Sequence, residues 1–134
     1  PWPLDVPAMQ QAAQALVGEH DFSAFRAVGC QAHSPVRQIH TVRLYAQAEF
    51  YWALELKANG FLQHMVRNIA GVLLAIGAGK RPVTWVEQLL AVRDRRQAGV
   101  TAPPQGLYFL GAYYPAAFNL PAGQYLRNFD AYPN

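Results

Sequence analysis

Apolar residues recur at helical spacing in three stretches of the chain. This spacing predicts a helix from Asp5 to Val17, a second that starts at Phe61 and stops at the glycine break after Ile76, and a third that follows Thr84. Asp5 and Thr84 are residue types that accept hydrogen bonds from the first turn of the helix that follows them. One face of each helix is therefore expected to lie in a core.

Between the first two helices the pattern changes to alternation. Over residues 37–56 the pattern approaches period two: Ile39, Val42 and Leu44 stand out in the first run, and apolar residues alternate at 50, 52, 54 and 56 in the second. This predicts two antiparallel strands joined near residues 47–49. Residues 19–26 fit neither period and are expected to form a loop with one turn of helix. An aromatic run at residues 107–114 predicts a further strand, and Pro115 ends it.

The order of these elements indicates an α+β domain with an antiparallel sheet. A chain of 134 residues is long enough for one domain with its own core, and we expect residues 1–115 to form it and residues 116–134 to be a tail. Hydrophobic residues make up 52% and charged residues 14%, which excludes a disordered chain.

Two features bear on the compartment of the protein. The single cysteine, Cys30, cannot form an intrachain disulfide, so the sequence gives no sign of an oxidising compartment and favours the cytoplasm. The longest apolar run, residues 72–76, is far too short to span a bilayer, and no membrane association is expected.

Positive charge is concentrated in one part of the sequence. Residues 57–96 hold seven basic and two acidic side chains, a net charge of +5, so the total of +3 leaves −2 for the rest. A local basic surface of this kind attracts a polyanion such as a nucleic acid. The seven basic residues are Lys57, Arg67, Lys80, Arg81, Arg93, Arg95 and Arg96. The last three are expected to form a solvated helix end.

Several common site chemistries find no support in the residue pattern. The four histidines and Cys30 lack the paired spacing of metal ligands, and Gly79-Lys80 lacks the remaining residues of a phosphate-binding loop. No Ser or Cys has the context of an activated nucleophile. Asp21 is the only aspartate worth considering for a catalytic site, and hydrogen bonding to loop amides is the commoner use of such a carboxylate.

The second helix carries three polar side chains, those of His64, Arg67 and Asn68, among apolar neighbours. Buried without partners they would cost several kcal/mol, on the order given for unpaired polar groups. The Arg67 guanidinium must therefore pair with an anion, lie at the surface of a cleft, or reach bulk solvent while the aliphatic part of the side chain stays buried. His64 lies one helical step before Asn68, so this polar row is expected to face an approaching phosphate or carboxylate.

Three segments in fixed order resemble the bacterial tRNA pseudouridine synthase A family: HDFSAFRAVGCQ at residues 20–31, KANGFLQHMVRNIAG at 57–71 and GLYFLGAYYP at 106–115. The resemblance implies an isomerase that converts uridines 38, 39 and 40 in the anticodon stem-loop of tRNA to pseudouridine. It implies catalysis without cofactor or metal. The family fold is a pair of ferredoxin-like domains with the active-site cleft between them, and the family enzymes are homodimers.

The resemblance also implies roles for individual residues. Arg67 matches the arginine that pairs with the catalytic aspartate, and Leu107 matches the apolar residue that packs on the target uridine. Contacts with the phosphate backbone of RNA are expected from a set of basic residues: Arg26, Lys57, His64, Lys80, Arg81 and Arg93.

The family's nucleophilic aspartate belongs to a GRTD-type motif, and this sequence contains no such motif. We therefore expect the chain to be the C-terminal half of the enzyme, to be inactive alone, and to have the N-terminal half of the same enzyme as its partner. A ferredoxin-like domain with its first strand upstream of Pro1 should expose a sheet edge and apolar surface. The alternative is a non-catalytic RNA-binding or protein-interaction module on a ferredoxin-like scaffold.

Overall fold

The computed structural model of the protein describes residues 4–48, 51–99 and 101–102. Within these residues three α-helices and three β-strands follow one another in the order α-β-β-β-α-α, which confirms the α+β class. The helices are α1 (Val6–Gln14), α2 (Met65–Gly77) and α3 (Trp85–Val92); the strands are β1 (Gly18–Asp21), β2 (Val36–Ala48) and β3 (Tyr51–Ala58). Single 3-10 turns lie at Ser23–Phe25 and Arg95–Gln97. The predicted strand 107–114, Leu107 itself and the tail lie outside the described residues.

The three strands form an antiparallel sheet in the order β1-β2-β3. The predicted hairpin is confirmed, since β2 pairs with β3 along most of its length and Val42 is opposite Leu56. The prediction of a loop was wrong for β1, whose four residues pair with residues 36–39 of β2. Four residues of the sequence Gly-Glu-His-Asp are too short and too polar to show an alternating pattern, so pairing with β2 determines the conformation of β1.

Helix α1 lies against the part of β2 that extends beyond β1. The Asp5 side chain accepts a hydrogen bond from the Ala8 amide at 3.1 Å, which confirms the predicted cap. Two glutamines one helical turn apart reach the strand: Gln10 Nε2 donates to the Leu44 carbonyl at 2.8 Å and Gln14 Nε2 donates to the Val42 carbonyl at 3.3 Å. These bonds fix α1 along β2.

Helix α2 begins at Met65, four residues later than predicted. His64 adopts the left-handed conformation with φ of 61°, so the chain turns sharply there before the helix starts. The Met65 amide donates to the Leu62 carbonyl at 3.0 Å and closes this turn. Leu62 is buried although it precedes the helix, which explains why the apolar pattern continued past the true helix start.

Helix α3 starts after Thr84 as predicted, but the Thr84 side chain forms no capping hydrogen bond to the backbone. Its hydroxyl instead accepts from the Gln88 side chain at 3.3 Å. The helix ends at Val92 because Arg93 takes the left-handed conformation with φ of 60°.

The core lies on one face of the sheet, where the helices pack. Val42 and Leu44 of β2 and Leu54 and Leu56 of β3 contribute to it from paired positions. The alternate positions carry a polar surface in which Arg43 pairs with Glu55 at 3.2 Å. The largest fully buried side chains are Phe22, Phe25, Leu16, Ile39, Met65, Ile69, Leu73 and Leu89.

The first and second helices approach each other closely at Gly77, in the last turn of α2. A Cβ atom at this position would come within 2.8 Å of Met9 Cγ, and the Asp5 amide donates to the Gly77 carbonyl at 2.8 Å. An apolar groove opens beside this contact, and the exposed fractions of Trp52 and Leu74 on its wall are 51% and 43%. Among the described residues, no helix is long and apolar enough to cross a membrane.

Candidate active-site residues

Arg67 lies in the first turn of α2 and is half-buried. Its Nε donates a hydrogen bond to the Ala102 carbonyl at 2.9 Å, and the Ala102 amide donates back to the Arg67 carbonyl at 3.1 Å. The requirement for a partner is therefore met on one side of the guanidinium by a backbone carbonyl rather than by an anion. Residues 67 and 102 are held together through both main chain and side chain.

The two η nitrogens of Arg67 form no hydrogen bond and no ion pair within the described part of the chain. A guanidinium that uses Nε for one acceptor still presents the edge formed by its two η nitrogens, which matches the two oxygens of a carboxylate. Arg67 can therefore bind a carboxylate without giving up its bond to Ala102.

Asn68, the next residue, points into the protein and is only 2% exposed. Its Nδ2 donates to the Phe25 carbonyl at 2.6 Å, and its Oδ1 accepts hydrogen bonds from Arg95 and Thr101. The predicted polar row facing a ligand is thus wrong for Asn68, which instead links α2 to two other segments. Its position three residues after Met65 placed it on the apolar face, and this was the available signal that it would be buried.

The predicted solvated helix end at residues 93–96 is correct for Arg96 and wrong for Arg95. Arg96 pairs with Asp94 at 2.9 Å, and its side chain is 87% exposed. Arg95 turns inward, where its η nitrogens donate to the Gly99 carbonyl at 2.9 Å, to the Thr101 hydroxyl at 2.6 Å and to Asn68 Oδ1 at 3.0 Å. Sequence reasoning missed this group because its partners lie up to 27 residues away.

His64 is exposed and precedes α2 rather than lying within it. Its carbonyl accepts from the Asn68 amide at 2.9 Å, while its side chain makes no capping bond. The His64 side chain therefore does not share a helix face with Asn68, although it stays at the same end of α2 as Arg67.

The other basic residues of the expected RNA-binding set fall into separate places. Arg26 and Arg93 both lie close enough to Asp21 for their charges to lower its pKa. The amide of Ala27, the residue after Arg26, donates to the Gln63 carbonyl at 2.9 Å. Arg26 is thereby brought near His64 and the start of α2, and Arg93 lies near Arg26 because both are close to Asp21. Lys80 and Arg81 are exposed at the other end of the helix, roughly 20 Å away for a helix of this length. Lys57 is exposed on β3.

Asp21 behaves as a loop-stabilising carboxylate. Its Oδ1 accepts from the Ser23 amide at 2.9 Å, and its Oδ2 lies 3.8 Å from an η nitrogen of Arg93. Burial alone would raise the pKa of this carboxyl, but the hydrogen bonds from Ser23 and the charges of Arg93 and Arg26 outweigh burial and lower the pKa. The expected hydrogen bonding to loop amides is confirmed.

The lowered pKa of Asp21 predicts a pH dependence of stability. Because the folded state binds a proton less readily than the unfolded state, this stabilisation is complete above the ordinary aspartate pKa of 3.8 and is lost as pH falls through the lowered pKa of the folded state. The unfolding free energy of Asp21→Asn should therefore decrease less steeply on acidification than that of the wild type. Urea unfolding at a series of pH values from about 5 to about 2.5 measures the difference; parallel curves for both proteins would contradict it.

Comparison with known proteins places the chain in a family. The family model described as tRNA pseudouridine synthase matches residues 12–115. Among curated proteins named tRNA pseudouridine synthase A, that of Pseudomonas aeruginosa is 56% identical over 119 residues, which cover 89% of this chain and 41% of the relative. The protein of Methylococcus capsulatus is 56% identical over 118 residues, covering 88% of this chain and 43% of the relative.

The protein of Alcanivorax borkumensis is 55% identical over 119 residues, covering 89% of this chain and 44% of the relative. The chain thus spans less than half the length of the relatives that it matches. The family match includes α2 with Arg67 and Asn68, all three strands of the sheet, and the segment that contains Thr101 and Ala102. These matches confirm the resemblance seen in the three sequence segments, and the chain belongs to the tRNA pseudouridine synthase family.

Proposed function

We propose that this chain forms one wall of the active-site cleft of an enzyme that converts uridines 38, 39 and 40 of the tRNA anticodon stem-loop to pseudouridine. In this isomerisation the bond between base N1 and ribose C1′ breaks, and a bond between base C5 and C1′ forms. The C5 hydrogen passes to solvent and N1 gains a proton, so the step needs no oxidant or reductant.

The observation that supports this role best is the state of Arg67. Its Nε is held by the Ala102 carbonyl, and no carboxylate of the described residues pairs with its η nitrogens. A half-buried guanidinium with one edge held and the other open is arranged to receive a carboxylate from outside the described residues. We assign that carboxylate to the nucleophilic aspartate of the enzyme.

The aspartate belongs, on this proposal, to the N-terminal half of the same enzyme. This sequence contains no GRTD motif, and the chain covers only 41% of the Pseudomonas relative. The other half would supply the nucleophile and a tyrosine that packs against the base, and Leu107 of this chain would pack on the target uridine. Catalysis in this scheme uses no cofactor and no metal.

RNA binding would use the basic residues on both sides of α2. Arg26, His64 and Arg93 near the start of the helix are suited to contact phosphates close to the reacting nucleotide. Lys57, Lys80 and Arg81, which are exposed, would contact more distant parts of the RNA backbone. The target base must leave its stack to reach Arg67 and its partner aspartate.

We further propose a ferredoxin-like fold for the complete domain. An additional strand from outside the described residues would extend the three-stranded sheet, and residues 1–115 would form the domain. The full-length enzyme would act in the cytoplasm as a homodimer, as the family resemblance implies.

A tritium-release assay tests the proposed function. Full-length enzyme should release tritium from tRNA labelled at C5 of uridine, because C5 loses its hydrogen when it bonds to C1′. This chain alone should release none, because the nucleophile would be missing, and adding the N-terminal half should restore release. Release by the chain alone would show that the nucleophile is assigned to the wrong segment, and no release by the full-length enzyme would overturn the proposed activity.

A further inference from the structure

Two neighbouring residues of α2 hold two neighbouring residues that follow α3. Arg67 and Ala102 are joined by the pair of hydrogen bonds at 2.9 and 3.1 Å. Asn68 and Thr101 are joined through Asn68 Oδ1 and the threonine hydroxyl. The position of the Ala102 carbonyl, which holds Arg67 Nε, therefore depends on how firmly Thr101 is fixed to Asn68.

Arg95 closes this group from a third direction. One η nitrogen donates to both the Thr101 hydroxyl and Asn68 Oδ1, and the other donates to the Gly99 carbonyl. A planar guanidinium fork that binds both the Gly99 carbonyl and the Thr101 hydroxyl holds Thr101, the neighbour of Ala102, in place. A lysine has one nitrogen and cannot reproduce this arrangement.

The hydrogen-bonding capacities of the three side chains determine which group donates and which accepts. The Thr101 hydroxyl accepts from Arg95, so its only proton is directed to Asn68 Oδ1. Asn68 Nδ2 donates to the Phe25 carbonyl at 2.6 Å, which fixes the orientation of the amide. In this partly buried network each of the three side chains has a partner, and loss of the Thr101 hydroxyl removes one hydrogen bond from Arg95 and one from Asn68.

We propose that Asn68, Arg95 and Thr101 are positioning residues that orient the Arg67 guanidinium by holding the Ala102 carbonyl in place. The inference rests on the proposed function, because it assigns the network a role in presenting the open η edge of Arg67 to the catalytic aspartate. A loosely held Ala102 would let the guanidinium rotate away from the geometry that the aspartate requires.

The test uses Thr101→Val and Thr101→Ser in the full-length enzyme. Valine keeps the shape of threonine and removes its hydroxyl, whereas serine keeps the hydroxyl. Thr101→Val should lower kcat about tenfold or more while the Kd for tRNA changes less than about twofold, and Thr101→Ser should stay within about threefold of wild-type kcat. Equal kcat for valine and wild type, or an equal loss in kcat and tRNA affinity, would overturn the proposal.

A second pair of variants keeps the test independent of any folding defect at Thr101. Arg95→Lys should lower kcat by about tenfold because the fork is lost, and Arg96→Lys, on an exposed residue paired with Asp94, should not. Identical kinetics of the two lysine variants would refute the role of Arg95.

The third readout does not depend on activity. In ¹⁵N-resolved NMR spectra of the full-length enzyme, Thr101→Val should speed exchange of the Arg67 Nε proton with water by about tenfold or more, because its acceptor is no longer held. Unchanged exchange would overturn the inference even if the enzyme is active. Conversely, absence of tritium release from wild type would refute the proposed function while faster exchange still supported the positioning network.

Discussion

Replacing Arg67 by Ala in the full-length enzyme is expected to lower kcat by about 10²–10³-fold while the Kd for tRNA changes less than about twofold. On the proposed function, removing the guanidinium would leave the opposing carboxylate of a partly buried pair uncompensated, whereas tRNA would be held mainly by phosphate contacts elsewhere on the basic surface. Single-turnover kinetics of tritium release and a filter-binding titration with the same tRNA measure the two quantities.

Two variants serve as controls for Arg67→Ala. Arg67→Lys keeps the charge but has neither Nε nor the two-nitrogen edge, so it should recover only a small part of the lost rate. Arg43→Ala removes a 61% exposed arginine from the polar face of the sheet and should leave kcat unchanged. If Arg67→Ala weakens tRNA binding as much as it slows turnover, Arg67 acts in RNA binding and its assigned pairing with the aspartate is wrong.

Phe25→Ala is expected to reduce the unfolding free energy by about 3–5 kcal/mol. The ring is fully buried and meets the Phe22 ring edge-on at a centroid distance of 6.1 Å, so truncation leaves a cavity that rigid neighbours cannot fill. Because Asn68 bonds to the backbone carbonyl of residue 25, the side-chain truncation leaves that hydrogen bond in place. Urea unfolding followed by tryptophan fluorescence measures the loss.

Val28 provides the matched control for this truncation. It lies three residues further along the same segment, and its side chain is 92% exposed. Val28→Ala should change the unfolding free energy by less than about 0.5 kcal/mol. Similar losses in the two variants would mean that the segment, and not the buried ring, determines the effect of the Phe25 truncation.

The parts of the fold that could be predicted are those set by local pattern. The β2–β3 hairpin follows from alternation over two long runs, and α1 follows from helical spacing with a cap at Asp5 that the structure confirms. In both cases neighbouring residues along the chain contain the whole signal, because side-chain period and backbone conformation are directly linked.

The parts that could not be predicted depend on distant residues. Strand β1 is four mostly polar residues whose conformation comes from pairing with β2. Histidine lacks the strong preference of glycine for the left-handed conformation, so the sequence alone does not indicate the turn at His64 that delays the start of α2. Apolar Phe61 and Leu62 extended the helical pattern across a segment that is not helical.

The candidate site likewise has features that the sequence predicts and features that depend on distant residues. That Arg67 needs a partner follows from its apolar neighbours, but the partner is a carbonyl 35 residues later, which no spacing rule identifies. The run Arg93-Asp94-Arg95-Arg96 is typical of a charged helix end, but the helix ends at Arg93 and Arg95 begins a separate 3-10 turn from which it reaches Asn68. Charge patterns predict exposure on average and fail where backbone geometry redirects a single side chain.

The hydrogen bonds from Gln10 and Gln14 to β2 have a consequence for association between chains. The carbonyls of Leu44 and Val42 lie where β2 extends past β1, and an uncovered row of this kind can pair with a strand of another molecule. The two glutamines occupy these acceptors, so this stretch of sheet edge is blunted against aggregation. Helix α1 therefore limits pairing of this edge with other chains as well as covering the core.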